Sequence, residues 1–154
     1  MLTWNNSSLA NIPGIALLVA GHHQHPYKGP LADNVVLLDR HLSNVEFHTM
    51  LKLTNVLVLP YRAIDQSGLL LSAIAERIPF AVTSVGELTA PLEYGNVGWK
   101  IGQPNAENIA SLLESLAAHP DMIQQCKNTN DWSCVQQLYS WVHSAQITNS
   151  VYGF

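Results

Sequence analysis

Charged residues are scarce in this chain. Lys and Arg together number 7 and Asp and Glu 11, which gives a formal net charge of −4 at pH 7. The basic residues are spread along the sequence and form no cluster. A protein that binds nucleic acid through charge needs a basic patch or stripe. We therefore expect no nucleic-acid partner.

Cysteines and long apolar runs are also scarce. The spacing of Cys126 and Cys134 supports neither a disulfide nor a metal pair, so we expect free, half-buried thiols. The longest apolar run, Ile15–Ala20, is far too short to span a bilayer, and no basic leader precedes an apolar stretch near the N-terminus. These features predict a cytoplasmic protein.

Apolar residues make up 47% of the 154 residues, which is enough for one domain with a real core. They occur in short uninterrupted runs, and runs of this kind suit a parallel sheet covered by helices on both faces. We therefore predict a single α/β domain over residues 1–154. Its strands are predicted at Ile15–Ala20, Val35–Leu38, Val56–Leu59 and Phe80–Thr83.

The stretch from Asn55 to Gly86 is the most informative part of the chain. Its pattern predicts a strand, a polar loop, a buried helix over Leu69–Ala75 and a second strand, which together form a βαβ unit. Ligands of parallel sheets bind beyond the carboxyl ends of the strands. We therefore expect a ligand site at Tyr61–Gly68 and Ser84–Glu87.

Capping signals predict two more helices. Ser43 and Glu46 fit a capping box at the start of a helix from Asn44 to about Leu53, and Asn105 fits the cap of a second amphipathic helix. Residues 120–154 are predicted to form the C-terminal helices. The apolar side of the first helix is expected to comprise Val45, Met50, Leu51 and Leu53, and Trp132 and Trp141 are interpreted as core or interface anchors.

The loop that enters the βαβ helix at Gly68 has two interpretations. Its first-turn amides would point outward and suit a diphosphate or sugar hydroxyls. Alternatively, Ser67 only caps the helix and Gly68 only permits a tight turn. Elsewhere, His22, His23 and His25 resemble a metal-binding tract, but no carboxylate lies at a fitting spacing, so we interpret them as a solvated loop and expect no metal site.

Several segments resemble the C-terminal, donor-binding domain of family 4 glycosyltransferases with the GT-B fold. Residues 57–87, LVLPYRAIDQSGLLLSAIAERIPFAVTSVGE, resemble the family's strand, Pro-Tyr-Arg, Ser-Gly loop, Ala-rich helix and following strand and turn. The likeness extends over roughly residues 12 to 145. Its other parts are IALLVAG, NVVLLDRHLSNVEFHTMLKLTNVLVLPY, EYGNVGWKIGQPNAENIASLLESLAAHP and YSWVHSAQ.

The resemblance implies a Rossmann-like fold and a nucleotide-sugar, a UDP- or GDP-sugar, as the substrate, with no other cofactor. In the family, the loop amides that correspond to Gln66, Ser67, Gly68 and Leu69 meet the donor sugar and its phosphates. Gly86 lies in the turn after the next strand, which the resemblance also assigns to the donor site.

The sequence departs from the family at charged positions. Many members have two glutamates here, and their counterparts are Ile64 and Ser72. Ser72 offers the ribose hydroxyls a weaker bond, and Asp65, one place after Ile64, replaces the other glutamate in part. Glu87 stands where the family has Gly, and we interpret it as a surface residue because a carboxylate near two phosphates repels them.

The resemblance also concerns the nucleotide base and the diphosphate charge. Arg40 and His41 follow Val35–Leu38, where the family places its base, although they could equally supply only turn polarity. Residues 1–11 resemble the helix after the family's first strand, which normally carries an Arg and a Lys for the diphosphate. We therefore expect that strand to be missing, which leaves Lys28 and Arg62 as the nearby cations.

We predict that the chain supplies the donor-binding domain for hexosyl transfer to a glycan or lipid-linked acceptor held by a separate N-terminal domain. No catalytic residue is assigned, and the chain alone is expected to transfer no sugar. The full enzyme would be cytoplasmic or peripheral to a membrane. The alternative is a non-catalytic module that pairs with an N-terminal half or self-associates through an uncovered sheet edge. A third reading, a nucleotide-sugar 2-epimerase, lacks the expected acidic and His pair.

Overall fold

The computed structural model describes residues 2–22 and 27–153. The strands in this part of the chain are β1 (Leu17–Ala20), β2 (Val35–Leu38), β3 (Leu57–Leu59), β4 (Phe80–Thr83) and β5 (Gly98–Gly102). The α-helices are α1 (Leu2–Asn5), α2 (Asn44–Leu53), α3 (Gly68–Ala75), α4 (Ala106–Ala118), α5 (Pro120–Asn128), α6 (Asp131–Leu138) and α7 (Trp141–Tyr152). Ser8–Asn11 and Ala90–Glu93 are 3₁₀ turns.

All strand pairs are parallel, and they form two sheets. β1 pairs with β2, while β3, β4 and β5 form a second sheet with β4 in the middle. The predicted α/β class with parallel strands is confirmed. The prediction of one continuous sheet is wrong, because no strand within the described residues pairs with the second edge of β1 or of β3.

The main core surrounds β3 and β4. Both faces of β4 are buried, and all of its residues are 0% exposed, as a central parallel strand requires. Phe80 contacts Trp132 of α6 edge to face, with ring centroids 6.4 Å apart. The buried members of this core are Leu51, Leu59, Leu70, Ala73, Ile74, Ile78, Phe80, Val82, Leu88, Val97, Trp132 and Val135.

A smaller core lies under the first sheet. Trp4, Leu9 and Val35 form its centre, and Leu113 and Ala117 of α4 pack against it. Trp4 also donates from Nε1 to Asn34 at 3.0 Å. α4 thus begins after β5 and packs against the core of the other sheet.

β1 is shorter and more open than the sequence indicates. It begins at Leu17, whereas a buried strand was expected from Ile15, and its residues alternate between half-buried and exposed. Leu18 is 42% exposed, and its register partner Val36 is 49% exposed. One face of β1 packs on the small core, while its other face is uncovered. β3 also begins one residue later than predicted, at Leu57.

α2 has the predicted bounds and the predicted capping box. The Ser43 hydroxyl accepts from the Glu46 amide at 3.3 Å, and the Glu46 carboxylate accepts from the Ser43 amide at 2.9 Å. The predicted apolar side is only partly right. Leu51 is buried and Met50 half-buried, but Val45 and Leu53 are each 77% exposed, because α2 contacts the main core along a narrow stripe.

The C-terminal region is helical, as predicted. Trp132 is buried and donates from Nε1 to the carbonyl of Cys126 at 2.9 Å, whereas Trp141 is 91% exposed. The two cysteines are free, but neither is half-buried as expected: Cys126 is buried and Cys134 exposed. Burial, aided by the charge of Asp131, raises the pKa of Cys126 to about 12 and makes it an unreactive thiol. Within residues 2–22 and 27–153, no helix combines the length and apolar character of a membrane span.

Gly98 is needed where β5 pairs with Phe80. A Cβ added there would collide with the Phe80 carbonyl and lie 2.9 Å from its ring, so we expect Gly98→Ala to destabilise the chain by about 1–3 kcal/mol. Gly68→Ala is the matched control, because a Cβ there meets no atom within 4 Å. We expect it to change stability by no more than about 0.5 kcal/mol. Urea unfolding of both variants tests this, and equal stabilities would contradict the packing argument.

The capping box predicts a dependence on pH. A hydrogen bond from Arg40, together with those from Ser43, lowers the pKa of Glu46 from 4.5 to about 2. Because the folded pKa is the lower one, this carboxylate contributes stability that is complete above about pH 4.5 and is lost as the pH falls toward 2. The effect is small because solvent screens the pair.

We therefore expect Glu46→Gln to lose less stability than the wild type between about pH 7 and pH 3 in urea unfolding. Glu107→Gln is the control, because Glu107 also lies in the first turn of a helix but takes no part in its cap. Its loss should equal that of the wild type. An identical loss in Glu46→Gln would rule out the capping carboxylate as the source.

Candidate functional site

The candidate site lies where β3 and β4 end. The two strands are parallel neighbours, so their carboxyl ends meet at one edge of the sheet. The loop after β3 runs from Pro60 to α3, and the loop after β4 begins at Ser84. In doubly wound sheets this edge is where ligands bind.

The two loops are in direct contact, as their strand positions predicted. The amide of Glu87 donates to the Asp65 carbonyl at 3.1 Å. Gly86 has a positive φ of 51°, and a Cβ there would collide with the carbonyl of Ile64 and lie 2.9 Å from that of Asp65. Only glycine therefore permits this approach without moving the loop.

Thr83 holds the start of the first loop, a role that the sequence analysis missed. Its buried hydroxyl donates to the Tyr61 carbonyl at 2.6 Å and lies 3.5 Å from the Leu59 carbonyl. A threonine at the end of a buried strand is the only sequence signal for this bond. Tyr61 and Ile64 pack against the main core, so the loop is anchored at several points.

The N-terminus of α3 presents free backbone amides. Ser67 is 5% exposed and caps the helix, because its hydroxyl accepts from the Leu70 amide at 3.4 Å and its carbonyl accepts from the Leu71 amide at 3.2 Å. Among the described residues, no hydrogen bond uses the amides of Gly68 or Leu69. Both residues are exposed, so these amides can receive an anion from solvent.

The polar side chains of the first loop point to solvent. Arg62, Asp65 and Gln66 are exposed, and no ion pair of the described chain involves Arg62. A backbone hydrogen bond joins Asp65 and Glu87, so both residues bring a carboxylate to the same part of the site. The site therefore combines one cation and a set of amides with two acidic side chains.

The resemblance matches Ile64 and Ser72 to two glutamates, and neither residue offers a carboxylate to a ribose. Ile64 packs against the main core. The hydroxyl of Ser72 donates to the Gly68 carbonyl at 2.9 Å, within the first turns of α3. The Ser72 oxygen can still accept a hydrogen bond from a ribose hydroxyl, although a neutral hydroxyl is a weaker acceptor than a carboxylate.

A second polar group lies at the ends of β1 and β2. The guanidinium of Arg40 binds both carboxylate oxygens of Glu46, at 2.6 and 3.2 Å, and also donates to the His41 carbonyl. The rings of His22 and His41 are 5.4 Å apart, and His22 Nδ1 lies 3.7 Å from an Asp39 carboxylate oxygen. Arg40 and His41 both lie at these strand ends, but the Arg40 guanidinium is already hydrogen-bonded to Glu46 and to the His41 carbonyl.

The Asp39 contact was missed by the sequence analysis, because this carboxylate comes from the neighbouring strand end and not from a nearby position in the chain. His23 and His25 lie outside the described residues. Within the part of the chain that is described, no three His, Cys, Asp or Glu side chains are placed to hold a metal ion. Lys28 is exposed in the loop that leads to β2.

Two surface grooves of the described residues lie away from the loop site. One groove lies between α3 and α6, and another lies between α1 and α4. We place the candidate site at the strand ends because free amides and exposed polar side chains converge there, whereas the first groove is mainly apolar. Its lining residues are Leu71, Ile74, Ala75, Gln136, Tyr139 and Ser140.

Comparison with known proteins gives a structural likeness. The chain is similar to sucrose-phosphate synthase from Thermosynechococcus elongatus, with a TM-score of 0.70 and 20% sequence identity over 94% of this chain. It spans 40% of the length of that chain. No family model and no curated protein matches. At this identity the likeness shows the fold alone: the chain has a Rossmann-like α/β fold with parallel strands, like part of that structure.

Proposed function

We propose that this chain is the donor-binding domain of a family 4 glycosyltransferase and that it binds a UDP- or GDP-sugar. The observation that carries the proposal is the junction of two loops at the carboxyl ends of β3 and β4, where the Glu87 amide bonds to Asp65. Ligands of doubly wound sheets bind beyond the carboxyl ends of the strands, which supports this junction as the donor site.

The diphosphate of the donor would bind at the start of α3. The amides of Gly68 and Leu69 carry the positive end of the helix dipole and have no partner among the described residues. Arg62 supplies the positive charge of the loop. Hydrogen bonds to a charged group contribute about 1.5–3 kcal/mol each, which makes Arg62 the main side-chain contributor to phosphate binding.

The sugar would lie near the acidic side chains. Asp65 and Glu87 are exposed, and carboxylates accept hydrogen bonds from sugar hydroxyls but repel phosphates. This places the sugar toward the Asp65 end of the loop and the phosphates toward Gly68. Gln66, between them in sequence, can donate to either group, while Gly86 keeps the second loop close.

Transfer of the sugar needs two further parts. An acceptor, a glycan or a lipid-linked glycan, has to be held in line with the donor carbon, and we assign this task to a separate N-terminal domain. The departing diphosphate needs its developing charge stabilised. Arg62 and the amides of α3 meet this demand only in part.

A second candidate function is a non-catalytic nucleotide-sugar-binding or assembly module. The observation that favours it is the state of the expected ribose- and base-binding positions. Ile64 packs against the core, the Ser72 hydroxyl donates to its own helix, and Arg40 is held by Glu46. A domain with these features can retain a phosphate site without the contacts that position a donor for reaction.

Titration with UDP or GDP tests the binding site. We expect amide shifts confined to Gln66–Leu69 and Thr83–Gly86, with a Kd in the high micromolar range or weaker, because one exposed Arg is the only cation of the loop. Arg62→Ala should weaken binding by about tenfold, which corresponds to 1.4 kcal/mol. Lys127→Ala removes one charge from α5 and should leave the Kd unchanged.

Two outcomes would contradict this site. Shifts confined to the region around His22 and His41 would place the nucleotide at the ends of β1 and β2. Equal losses in Arg62→Ala and Lys127→Ala would show that only net charge matters.

A transfer assay separates the two candidate functions from an active enzyme. With UDP- and GDP-sugars and a panel of glycan and lipid-linked acceptors, residues 1–154 alone should form no product above a no-protein control. The acceptor is not positioned, and positioning supplies about 7–11 kcal/mol of a typical barrier reduction. Product that disappears in Arg62→Ala would prove the chain self-sufficient and overturn the assignment of a donor-binding part.

A further inference from the structure

The groove between α3 and α6 is the right size for a single ring. It has a volume of about 180 Å³, and its apolar walls are Leu71, Ile74 and Ala75 of α3 and the side chain of Tyr139 at the end of α6. Pockets for drug-sized ligands measure about 300–1,000 Å³. A ligand of this groove is therefore one ring or one unit of a longer chain.

Residues 87–96 run along α6 and bring acidic side chains beside this groove. The amide of Asn96 donates to the carboxylate of Asp131, the first residue of α6, at 2.7 Å. Residues 88 and 92 pack in the same core as Val135, which lies one turn further along α6. Tyr139 lies another turn beyond, and its amide donates to the Val135 carbonyl at 3.2 Å. The start of the segment, at Glu87, is therefore the part nearest to Tyr139.

The environment of the Tyr139 phenol agrees with this arrangement. Burial raises the pKa of Tyr139, and the ionised forms of Tyr94, Glu87 and Glu93 raise it further. The phenol is therefore neutral at pH 7. A neutral phenol can both donate and accept a hydrogen bond.

The polar groups around Tyr139 are available to a ligand. Tyr139 is 36% exposed and Tyr94 51%, and Glu87 and Glu93 are also exposed. Within residues 2–22 and 27–153, these two hydroxyl groups and two carboxylates make no hydrogen bond and no ion pair. An apolar groove with a few convergent polar groups, one of them with a shifted pKa, is the usual form of a ligand site.

We propose that this groove, with Glu87 and Glu93 at its rim, binds one pyranose unit of a glycan. A pyranose has an apolar face of C–H groups and a rim of hydroxyl groups. Its apolar face lies on Tyr139 and Leu71, where an aromatic and an aliphatic side chain exclude water. Its hydroxyl groups donate to the two carboxylates, which in their ionised form only accept hydrogen bonds. We call this place the Tyr139 subsite.

The charge of the rim selects the class of ligand. Two carboxylates repel a phosphate or another anion, and no Lys or Arg of the described residues lines the groove. An alkyl chain would fill the groove but gain no hydrogen bond from the carboxylates. A neutral ligand with one apolar face and several hydroxyl groups uses both parts of the subsite.

The Tyr139 subsite adjoins the loops of the candidate site. Glu87 is joined to Asp65 by a backbone hydrogen bond, so its carboxylate borders both places. With a donor bound at the loops, the pyranose in the subsite belongs to the acceptor glycan and is a unit other than the one that reacts. This last assignment rests on the proposed function, whereas binding of a pyranose does not.

Titration with neutral disaccharides in the absence of nucleotide tests the subsite. The probes are maltose, cellobiose and lactose, and the amide signals of the full chain are followed by NMR. We expect a Kd in the millimolar range for at least one probe, with shifts at Leu71, Glu87, Tyr94 and Tyr139. The amides of Gln66–Leu69 should respond to UDP or GDP and not to these sugars.

Two variants locate the sugar. Tyr139→Leu keeps an apolar side chain but removes the flat ring and the hydroxyl, and it should weaken binding at least about fivefold. Glu93→Gln removes one carboxylate acceptor and should weaken binding at least about threefold. Tyr152→Leu and Glu107→Gln make the same changes at exposed positions of α7 and α4, and each should leave the Kd unchanged.

Three results would overturn the proposal. They are an absence of shifts with all three sugars up to about 100 mM, equal losses in the variants and their controls, and sugar shifts confined to Gln66–Leu69. Saturation by 1-hexanol without any response to the sugars would instead identify a groove for an alkyl chain. Because no nucleotide is present, a failed titration with UDP or GDP would refute the donor site and leave this subsite standing.

Discussion

The burial of β4 on both faces and both edges is the constraint on which the rest of the structure depends. Phe80–Thr83 are wholly inaccessible to solvent, with β3 and β5 on either side and Trp132 against Phe80. A strand enclosed in this way has one place and one register, because any slip would expose apolar side chains and leave buried backbone groups unpaired. Its end point is therefore well determined.

The geometry of the candidate site depends on where β4 ends. Thr83 bonds to the carbonyl of Tyr61, and the turn that follows brings Gly86 against Ile64 and the Glu87 amide onto Asp65. The first loop is thus positioned by β4 as much as by β3, from which it emerges. The N-terminus of α3 becomes a fixed set of amides, and preorganised amides bind anions without a large ordering cost.

The candidate site holds charges of both signs. Arg62 and the helix amides oppose the two carboxylates of Asp65 and Glu87, and Arg40 is bound by Glu46. In the proposed function, such a balance suits weak recognition of a nucleotide-sugar better than stabilisation of a departing diphosphate.

Most of the local structure follows from the amino-acid sequence alone. The apolar runs specified β2 and β4 to the residue, and the Ser43–Glu46 and Asn105 signals specified the starts of α2 and α4, because these elements depend on neighbours in sequence. The parallel βαβ unit and the meeting of its two loops also followed from the pattern. Which apolar residues are covered depends on tertiary packing: Leu18, Val45 and Trp141 are apolar yet exposed, because burial depends on what packs against them. The tertiary structure alone revealed the Thr83 bond, the His22 contact with Asp39 and the division into two sheets, since these arise between segments that are distant along the chain.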